Sequence, residues 1–206
     1  MRQTHFYRPS EGHGLPHDPF NAIIAPRPIG WISSQSADGD LNLAPYSFFN
    51  AFNYRPPIVG FSSVGAKDTL ANVQATGEFC WNLASAELAE QMNTSSAELG
   101  PAEDEFATAG LSTAESRVVA VPHVAQARAV FECRASQIVP LTTAAGDPTP
   151  STMVFGEVVG VHIDRDLLHD GVYQTAAAQP LLRAGGAASY FTVSQEHHML
   201  MPRPGA

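Results

Sequence analysis

Lysine is almost absent from this sequence, which has a single lysine, Lys67, among 11 basic residues. Asp and Glu total 20, so the formal net charge is -9 and the isoelectric point is near 5.2. A chain this acidic repels phosphate backbones and anionic lipid, and we therefore expect neither nucleic acid nor a membrane as a partner. The sequence also lacks a long apolar run and the apolar core of a signal peptide, which predicts a cytoplasmic protein.

Cysteine is scarce too, with only Cys80 and Cys133 in the whole chain. Both lie in strand-like segments that are far apart in sequence, and in a reducing compartment we expect free, buried thiols rather than a disulfide. The eight histidines do not form a convincing ligand set, since His13 and His17 have a glycine and a proline between them. We therefore predict no metal site.

Three motifs of common enzyme classes are missing. No GxGxxG opens a helix, no GxxxxGK[ST] is present, and GxSxG does not occur. These absences argue against a Rossmann nucleotide site, a P-loop and an α/β-hydrolase nucleophile. The chemistry must therefore come from another arrangement.

The segments that are present predict a mainly β fold. Apolar, β-branched stretches recur at hairpin spacing, and Asp38-Gly39 is a strong hairpin signal between the first two. Short helices are predicted at 68–76, where Gly77 stands as the stop, and after Ser85, which we expect to cap the helix; residues 94–111 suggest a surface excursion. With 206 residues, the length favours one domain over 1–206, built as a β-barrel with peripheral helices. The predicted strands are 28–36, 41–49, 57–63, 78–83, 127–139 and 152–163.

Lys67 lies in the stretch SSVGAKDT, residues 62–69, between a buried strand and the predicted helix. A glycine-containing loop that leads into a helix N-terminus can bind an anion through its backbone N-H groups. Ser62, Ser63 and Thr69 could add hydroxyl donors, and Lys67 a compact positive charge. In the alternative, Asp68 or Thr69 simply caps the helix and Lys67 is a solvated loop residue.

A second segment, NLAPYSFFN at residues 42–50, places Phe48 and Phe49 beside residues with hydroxyl and amide groups. Such a segment could hold a flat heteroaromatic ring against exposed backbone. Because neighbouring strand residues point to opposite faces, one of the two phenylalanines could equally belong to the core.

Together with HDPFNAIIAPRPIGWISS and GEVVGVHID, these motifs resemble the flavin reductase-like family of FMN-binding split-barrel proteins, in order from about residue 17 to about 192. The resemblance implies a six-stranded Greek-key split barrel that forms a homodimer, with FMN near the subunit interface. It places the SFFN segment on the isoalloxazine, WISS beside the ribityl chain or phosphate, and the lysine loop around the phosphate. The cofactor-binding residues implied in this way are Ser33, Ser34, Ser47, Phe48, Phe49, Asn50, Ser63, Lys67, Asp68 and Thr69.

The same resemblance implies an oxidoreductase whose chemistry is carried by FMN, with no catalytic dyad from the protein. Relatives commonly carry a histidine just before the strand that ends in GEV, whereas this chain has Ser151 and Thr152 there. His162 is another candidate near the nicotinamide, or a structural residue, and Trp31 is expected in the core rather than at the cofactor.

Three functions remain open at this point. The first is reduction of flavin or ferric complexes by NADH or NADPH through bound FMN. The second is a flavoredoxin-type electron carrier that a partner protein reduces. The third is a binding module without a cofactor.

Overall fold

The computed structural model describes residues 2–97 and 104–205. Within these ranges the strands are short at both ends of the chain and long in the middle, and four α-helices and four 3-10 helices lie between them. The strands are β1 Arg27–Pro28, β2 Gly30–Gln35, β3 Leu41–Tyr46, β4 Phe49–Tyr54, β5 Pro57–Val64, β6 Glu78–Asn82, β7 Thr113–Ala114, β8 His123–Val124, β9 Ala129–Thr142, β10 Pro148–Ile163, β11 Leu168–His169, β12 Val172–Tyr173, β13 Leu182–Arg183 and β14 Tyr190–Phe191. The α-helices are α1 Phe20–Ile23, α2 Asp68–Thr76, α3 Ala89–Thr94 and α4 Glu105–Thr108, and the 3-10 helices are Pro9–Glu11, Ala86–Leu88, Arg165–Leu167 and Gln195–His197.

Seven of these strands form one antiparallel sheet in the order β3-β2-β6-β9-β10-β5-β4. The two edge strands, β3 and β4, are separated in the chain only by Ser47 and Phe48, so the sheet curls back on itself into a barrel. If β3 and β4 are counted as one bent strand, the barrel has the six predicted strands. The hairpins β2-β3 and β4-β5 are followed by β6, which returns beside β2, and this is a Greek-key order. The predicted mainly β split barrel is confirmed.

The two faces of β2 pack into two different cores. Ile32 points into the barrel and joins a cluster with Phe61 and Phe79, all of them fully buried. Trp31 points outward into a second cluster with Phe106 of α4, and its indole N-H donates to Ser95 Oγ at 2.9 Å. Trp31 is therefore a core residue, as expected.

Helix α2 follows the prediction at both ends. It covers Asp68–Thr76, buries Leu70 and Val73 against the barrel core, and ends at Gly77, whose φ of 74° is left-handed. Because this backbone region disfavours residues with a Cβ, glycine is the natural residue at this stop.

Two expectations beyond α2 are wrong. Ser85 precedes a 3-10 helix, and its hydroxyl makes no capping bond, while its backbone bridges to Pro180. The excursion over 94–111 is not confined to the surface, because Phe106 is only 2 % exposed and completes the outer core. Residues 98–103 of this excursion lie outside the described part.

Both cysteines are free and buried, as predicted. Burial raises the pKa of Cys80 to about 12 and that of Cys133 well above its ordinary value, so both thiols stay protonated. Across residues 2–97 and 104–205, no His, Cys, Asp and Glu cluster is suited to a metal ion, and no helix is long and apolar enough to span a membrane.

Candidate functional site

A cleft of about 500 Å³ opens between strand β3, the N-terminus of α2, and helices α3 and α4. Five of the ten predicted site residues line it: Ser47, Phe48, Lys67, Asp68 and Thr69. The other lining residues are Asn42, Ala44, Pro45, Tyr46, Ser62, Val64, Ala66, Ser95, Ser96, Ala97 and Glu105. The segment before SFFN lies on β3, whereas the lysine loop follows β5. The fold therefore brings two parts of the chain that are separated in sequence to one cleft.

The N-terminus of α2 presents unused donors to this cleft. Lys67 is the N-cap residue with extended backbone, its side chain makes no capping bond, and its carbonyl accepts the first helical bond from Ala71 N at 3.0 Å. The N-H groups of residues 68–70 precede that bond and have no acceptor within the described residues. The exposed Lys67 side chain makes no ion pair there either. One cation and three amides are thus available to an anion.

A buried polar network lies directly under these donors. Asn42 Nδ2 donates to Thr69 Oγ1 at 2.7 Å and lies 3.4 Å from Ser34 Oγ, which also accepts from Asn72 Nδ2 at 3.1 Å. All four of these residues are buried, and none is more than 8 % exposed. Ser34 therefore supports the site from below and does not line the cleft.

Two further hydroxyls beside the cleft are buried without a partner. Tyr46 Oη and Ser63 Oγ make no hydrogen bond within the described residues. Both residues are buried, Tyr46 at 7 % exposure and Ser63 completely. Burial raises the pKa of Tyr46, and the nearby Thr69 and Ser63 hydroxyls offset part of that rise. Unsatisfied buried hydroxyls are rare in folded proteins, and two of the three found within the described residues lie here, the third being that of Ser85.

The aromatic pair divides between cleft and core, because Phe48 lies in the bend between β3 and β4 whereas Phe49 begins β4. Phe48 lines the cleft at 38 % exposure, whereas Phe49 stacks on Trp81 with ring centroids 5.7 Å apart and an interplanar angle of 4°. Gly30 is required at this point, because a Cβ on it would lie 2.8 Å from the Phe49 ring. Phe49 therefore packs against the barrel core and does not line the cleft.

Ser33 and Asn50 also lie outside the cleft lining. Ser33 points to the outer face of β2, where its hydroxyl donates to Pro122 O at 2.9 Å and accepts from Asn82 Nδ2 at 3.2 Å. Asn50 is exposed on β4, and its side-chain oxygen accepts from Ala51 N at 2.8 Å. The motif SFFN thus contributes only Ser47 and Phe48 to the cleft lining, and WISS contributes none of its residues.

Sequence reasoning missed Arg27, which holds the bend between β3 and β4. Its Nε donates to Ser47 O at 3.0 Å, and its guanidinium lies 5.5 Å from the centre of the Phe48 ring. Burial lowers the pKa of Arg27, with a further contribution from Arg183. The APRPIG motif contained this residue, but nothing in its spacing to residues 47 and 48 indicated the contact.

Glu105 was missed as well. Its carboxylate lines the cleft and accepts from Leu43 N at 3.3 Å. Burial raises the pKa of Glu105, and the negative charges of Asp68 and Asp104 raise it further. A carboxylate therefore faces the same cleft as the only lysine of the chain.

Residues 24–182 match the family described as Flavin reductase like domain. The chain belongs to the flavin reductase-like family. A relative from Halalkalibacterium halodurans, described as an uncharacterized protein, is 36 % identical over 169 residues and covers 79 % of this chain and 80 % of its own length. Among solved structures, nitrilotriacetate monooxygenase component B from Bacillus cereus is 28 % identical with a TM-score of 0.85, and covers 97 % of this chain and 100 % of its own.

A second similar structure is the 2-nitrobenzoate 2-nitroreductase NbaA from Pseudomonas fluorescens. It is 26 % identical, has a TM-score of 0.78, and covers 89 % of this chain and 88 % of its own. The family membership and the shared fold thus agree with the resemblance that the motifs indicated.

Strand β10 carries Ser151 and Thr152 where the resemblance implies a histidine. Thr152 pairs with Ser63, and the carbonyl of the neighbouring Pro150 accepts from Gly65 N at 2.8 Å, so this part of β10 borders the lysine loop. His162 lies further along the strand, where its Nε2 contacts Glu132 and its ring lies 4.7 Å from that of His123. Its contacts are with a buried carboxylate and not with the cleft.

Proposed function

We propose that this flavin reductase-like protein binds FMN in the cleft, with the phosphate at Lys67 and the first turn of α2. The observation that carries this proposal is the convergence of unused donors: the amides of residues 68–70, the Lys67 ammonium, and the hydroxyl of Thr69. A phosphate monoester is a compact dianion with several strong acceptor oxygens, and this donor set suits it. Asp68 would orient the loop rather than touch the anion.

The other predicted residues indicate where the rest of the cofactor would lie. The main chain at Ser47 and Phe48 is held by Arg27 and would line the isoalloxazine, with Phe49 and Asn50 behind it. The cleft volume of about 500 Å³ is in the range of a cofactor pocket. Ser34 and Ser63 would support the phosphate end from the second layer, and Ser33 has no contact with it in this arrangement.

The bound flavin supplies a centre that accepts and donates electrons, so the protein needs no strong acid or base of its own. The residues of this chain bind the phosphate, hold the bend at 47–48 and keep one side of the cleft open. We propose the activity to be NADH- or NADPH-dependent reduction of flavin or of ferric complexes.

An electron carrier of flavoredoxin type, reduced by a partner protein, is the second candidate. Two features support it: Ser151 and Thr152 stand where the resemblance implies a histidine, and His162 contacts Glu132. A binding module without cofactor is disfavoured, because it would leave the donors at the cleft without a purpose.

We also propose a homodimer in which the flavin site lies near the interface. Large apolar side chains are exposed on α1 and β4, namely Phe20 at 56 %, Ile23 at 72 % and Phe52 at 54 %. Such residues commonly mark a contact surface. Light scattering at micromolar concentration should give twice the chain mass, and a monomer that still binds FMN tightly would overturn this proposal.

The test of the function is spectroscopic. The purified protein should retain, or take up, FMN with its visible absorption bands, and a protein that neither binds nor quenches FMN would contradict the proposal. NADH or NADPH added without air should then bleach the bound flavin with multiple turnovers on free flavin. Reduction by dithionite alone would favour the carrier.

A further inference from the structure

Asn42 is the hub of the buried network under the cleft. Its Nδ2 lies 2.7 Å from Thr69 Oγ1 and 3.4 Å from Ser34 Oγ, and the residue is 7 % exposed. Neither the sequence motifs nor the flavin proposal assigns Asn42 a role. Asn42 lines the cleft from β3, beside Thr69 in the first turn of α2, and its bond to Thr69 lets it act on that turn.

The bond from Asn42 determines what the Thr69 hydroxyl can do. A hydroxyl has one hydrogen and two lone pairs, and the Asn42 amide occupies a lone pair. Threonine in a helix can donate its hydrogen to a carbonyl three or four residues earlier, but Thr69 makes no such bond within the described residues. Tyr46 Oη is close enough for the Thr69 hydroxyl to offset part of the rise in the Tyr46 pKa, but Tyr46 Oη has no hydrogen-bond partner of good geometry within the described residues. The hydrogen of Thr69 is therefore available to the cleft.

We propose that Asn42 is a positioning residue that keeps the Thr69 hydroxyl as a donor directed at the phosphate of the flavin. Thr69 lines the cleft in the first turn of α2, among the amides that would bind that phosphate. Asn72 and Ser34 hold Asn42 in turn, because Asn72 Nδ2 donates to Ser34 Oγ at 3.1 Å. The inference rests on the proposed function and adds to it the residue that sets the donor direction.

The substitution Asn42→Asp would reverse the hydrogen bond between residue 42 and Thr69. It keeps the shape of the side chain but replaces the Nδ2 donor by an acceptor oxygen. The carboxylate would accept the Thr69 hydrogen and bring a negative charge towards the phosphate. We expect FMN affinity to fall at least tenfold, in the range of a lost charge-assisted hydrogen bond, with riboflavin affinity changed less than about threefold. A purely structural role for Asn42 would weaken both ligands alike.

The matched control is Asn72→Asp, the same change one bond further from Thr69. It adds a carboxylate to the same network but contacts Ser34 instead of Thr69. We expect the ratio of FMN to riboflavin affinity to stay within about threefold of wild type. A control that lowers this ratio as much as Asn42→Asp would overturn the inference.

A second variant covers the case in which the Asn42→Asp protein does not fold, because its new carboxylate is buried. Asn42→Ala removes the donor and lets the Thr69 hydroxyl turn, so FMN affinity should fall about threefold and riboflavin affinity should not. The same substitution made in Thr69→Val should have no further effect on FMN, since no hydroxyl remains to be directed. Additive effects would overturn the inference.

The outcomes also separate this inference from the proposed function. If wild type binds FMN no better than riboflavin, the phosphate site itself is wrong and the inference falls with it. If wild type prefers FMN and the Asn42 variants keep that preference, only the role of Asn42 is overturned.

Discussion

Two regions of this molecule hold polar groups away from water, and they treat them in opposite ways. At Glu132 on β9, a fully buried carboxylate accepts from Arg117 N at 2.8 Å, from Val119 N at 3.0 Å, and from Val118 N and His162 as well. At the cleft, the first-turn amides of α2 and the hydroxyls of Tyr46 and Ser63 have no partner within the described residues.

The comparison separates a structural polar group from a binding one. Burial alone would raise the pKa of Glu132, but the hydrogen bonds from Arg117, His162, Val119 and Val118 lower it to about 2. That carboxylate holds the segment before β8 against the barrel and is satisfied by the protein itself. Donors that the protein leaves unsatisfied are those that a ligand can satisfy, and they converge on Lys67.

The largest expected effect is at Glu132. Glu132→Ala leaves three backbone N-H groups without their acceptor, and we expect a loss of about 3 to 5 kcal/mol in the free energy of unfolding. Urea denaturation at neutral pH measures it. The control Glu78→Ala removes a partly exposed carboxylate whose oxygen accepts from Ala120 N at 2.8 Å, and it should cost much less. If both variants lose the same free energy of unfolding, the buried carboxylate of Glu132 stabilises the fold no more than the partly exposed one of Glu78.

The pH dependence of the Glu132 contribution has a definite sign. Because the pKa in the folded protein is lowered to about 2, its contribution is fully present above the ordinary carboxyl value near 4.5. It is lost as the pH falls from there towards 2. Acid unfolding of Glu132→Ala should therefore be shallower than that of wild type over this window, and parallel curves would contradict the assignment.

The second effect is at Lys67. Lys67→Ala would remove the proposed charge-assisted hydrogen bond to the FMN phosphate, worth about 1.5 to 3 kcal/mol, so FMN affinity should fall roughly tenfold to hundredfold. Riboflavin lacks the phosphate and should bind both proteins nearly alike, while the free energy of unfolding should barely change. Lys67→Arg keeps the charge in a larger, planar group and should give an intermediate loss. An unchanged FMN affinity would leave Lys67 as a solvated loop residue.

How much of this contrast could be read from the sequence depends on the distance between partners. The bounds of α2 follow from local signals, since Gly77 stops the helix whatever the rest of the chain does. The sequence also indicates that one of Phe48 and Phe49 could belong to the core, but not that Phe48 lies in the bend before β4. The backbone donors to Glu132 lie 13 to 15 residues away, on a segment without regular spacing, and no local rule indicates them.

The same limit applies to the site. Lys67 was predicted because loop, lysine and helix start are consecutive in sequence. Asn42 and Glu105 reach the same cleft from β3 and α4, and only the closure of the barrel brings them there. Ser33 was predicted for the wrong side of its strand, since WISS contains two serines of which only Ser34 faces the network under the cleft.

The smallest effect is expected at Glu105. Unlike the carboxylate of Glu132, which contacts His162, that of Glu105 makes no ion pair within residues 2–97 and 104–205. Glu105→Gln removes a negative charge that faces the proposed phosphate site, and FMN affinity at about pH 8 should rise about twofold to fivefold, in the range of a screened surface charge interaction. Burial raises the pKa of Glu105, with Asp68 adding to it, so the wild-type carboxyl loses its charge as the pH is lowered from neutrality. The advantage of the variant should therefore shrink towards one as the pH falls. Comparing the two proteins at each pH cancels the titration of the phosphate itself.

The control Glu157→Gln makes the same charge change on β10, at a residue that does not line the cleft, and should leave FMN affinity unchanged. A variant advantage that persisted unchanged at low pH would show that charge at Glu105 is not what opposes the anion.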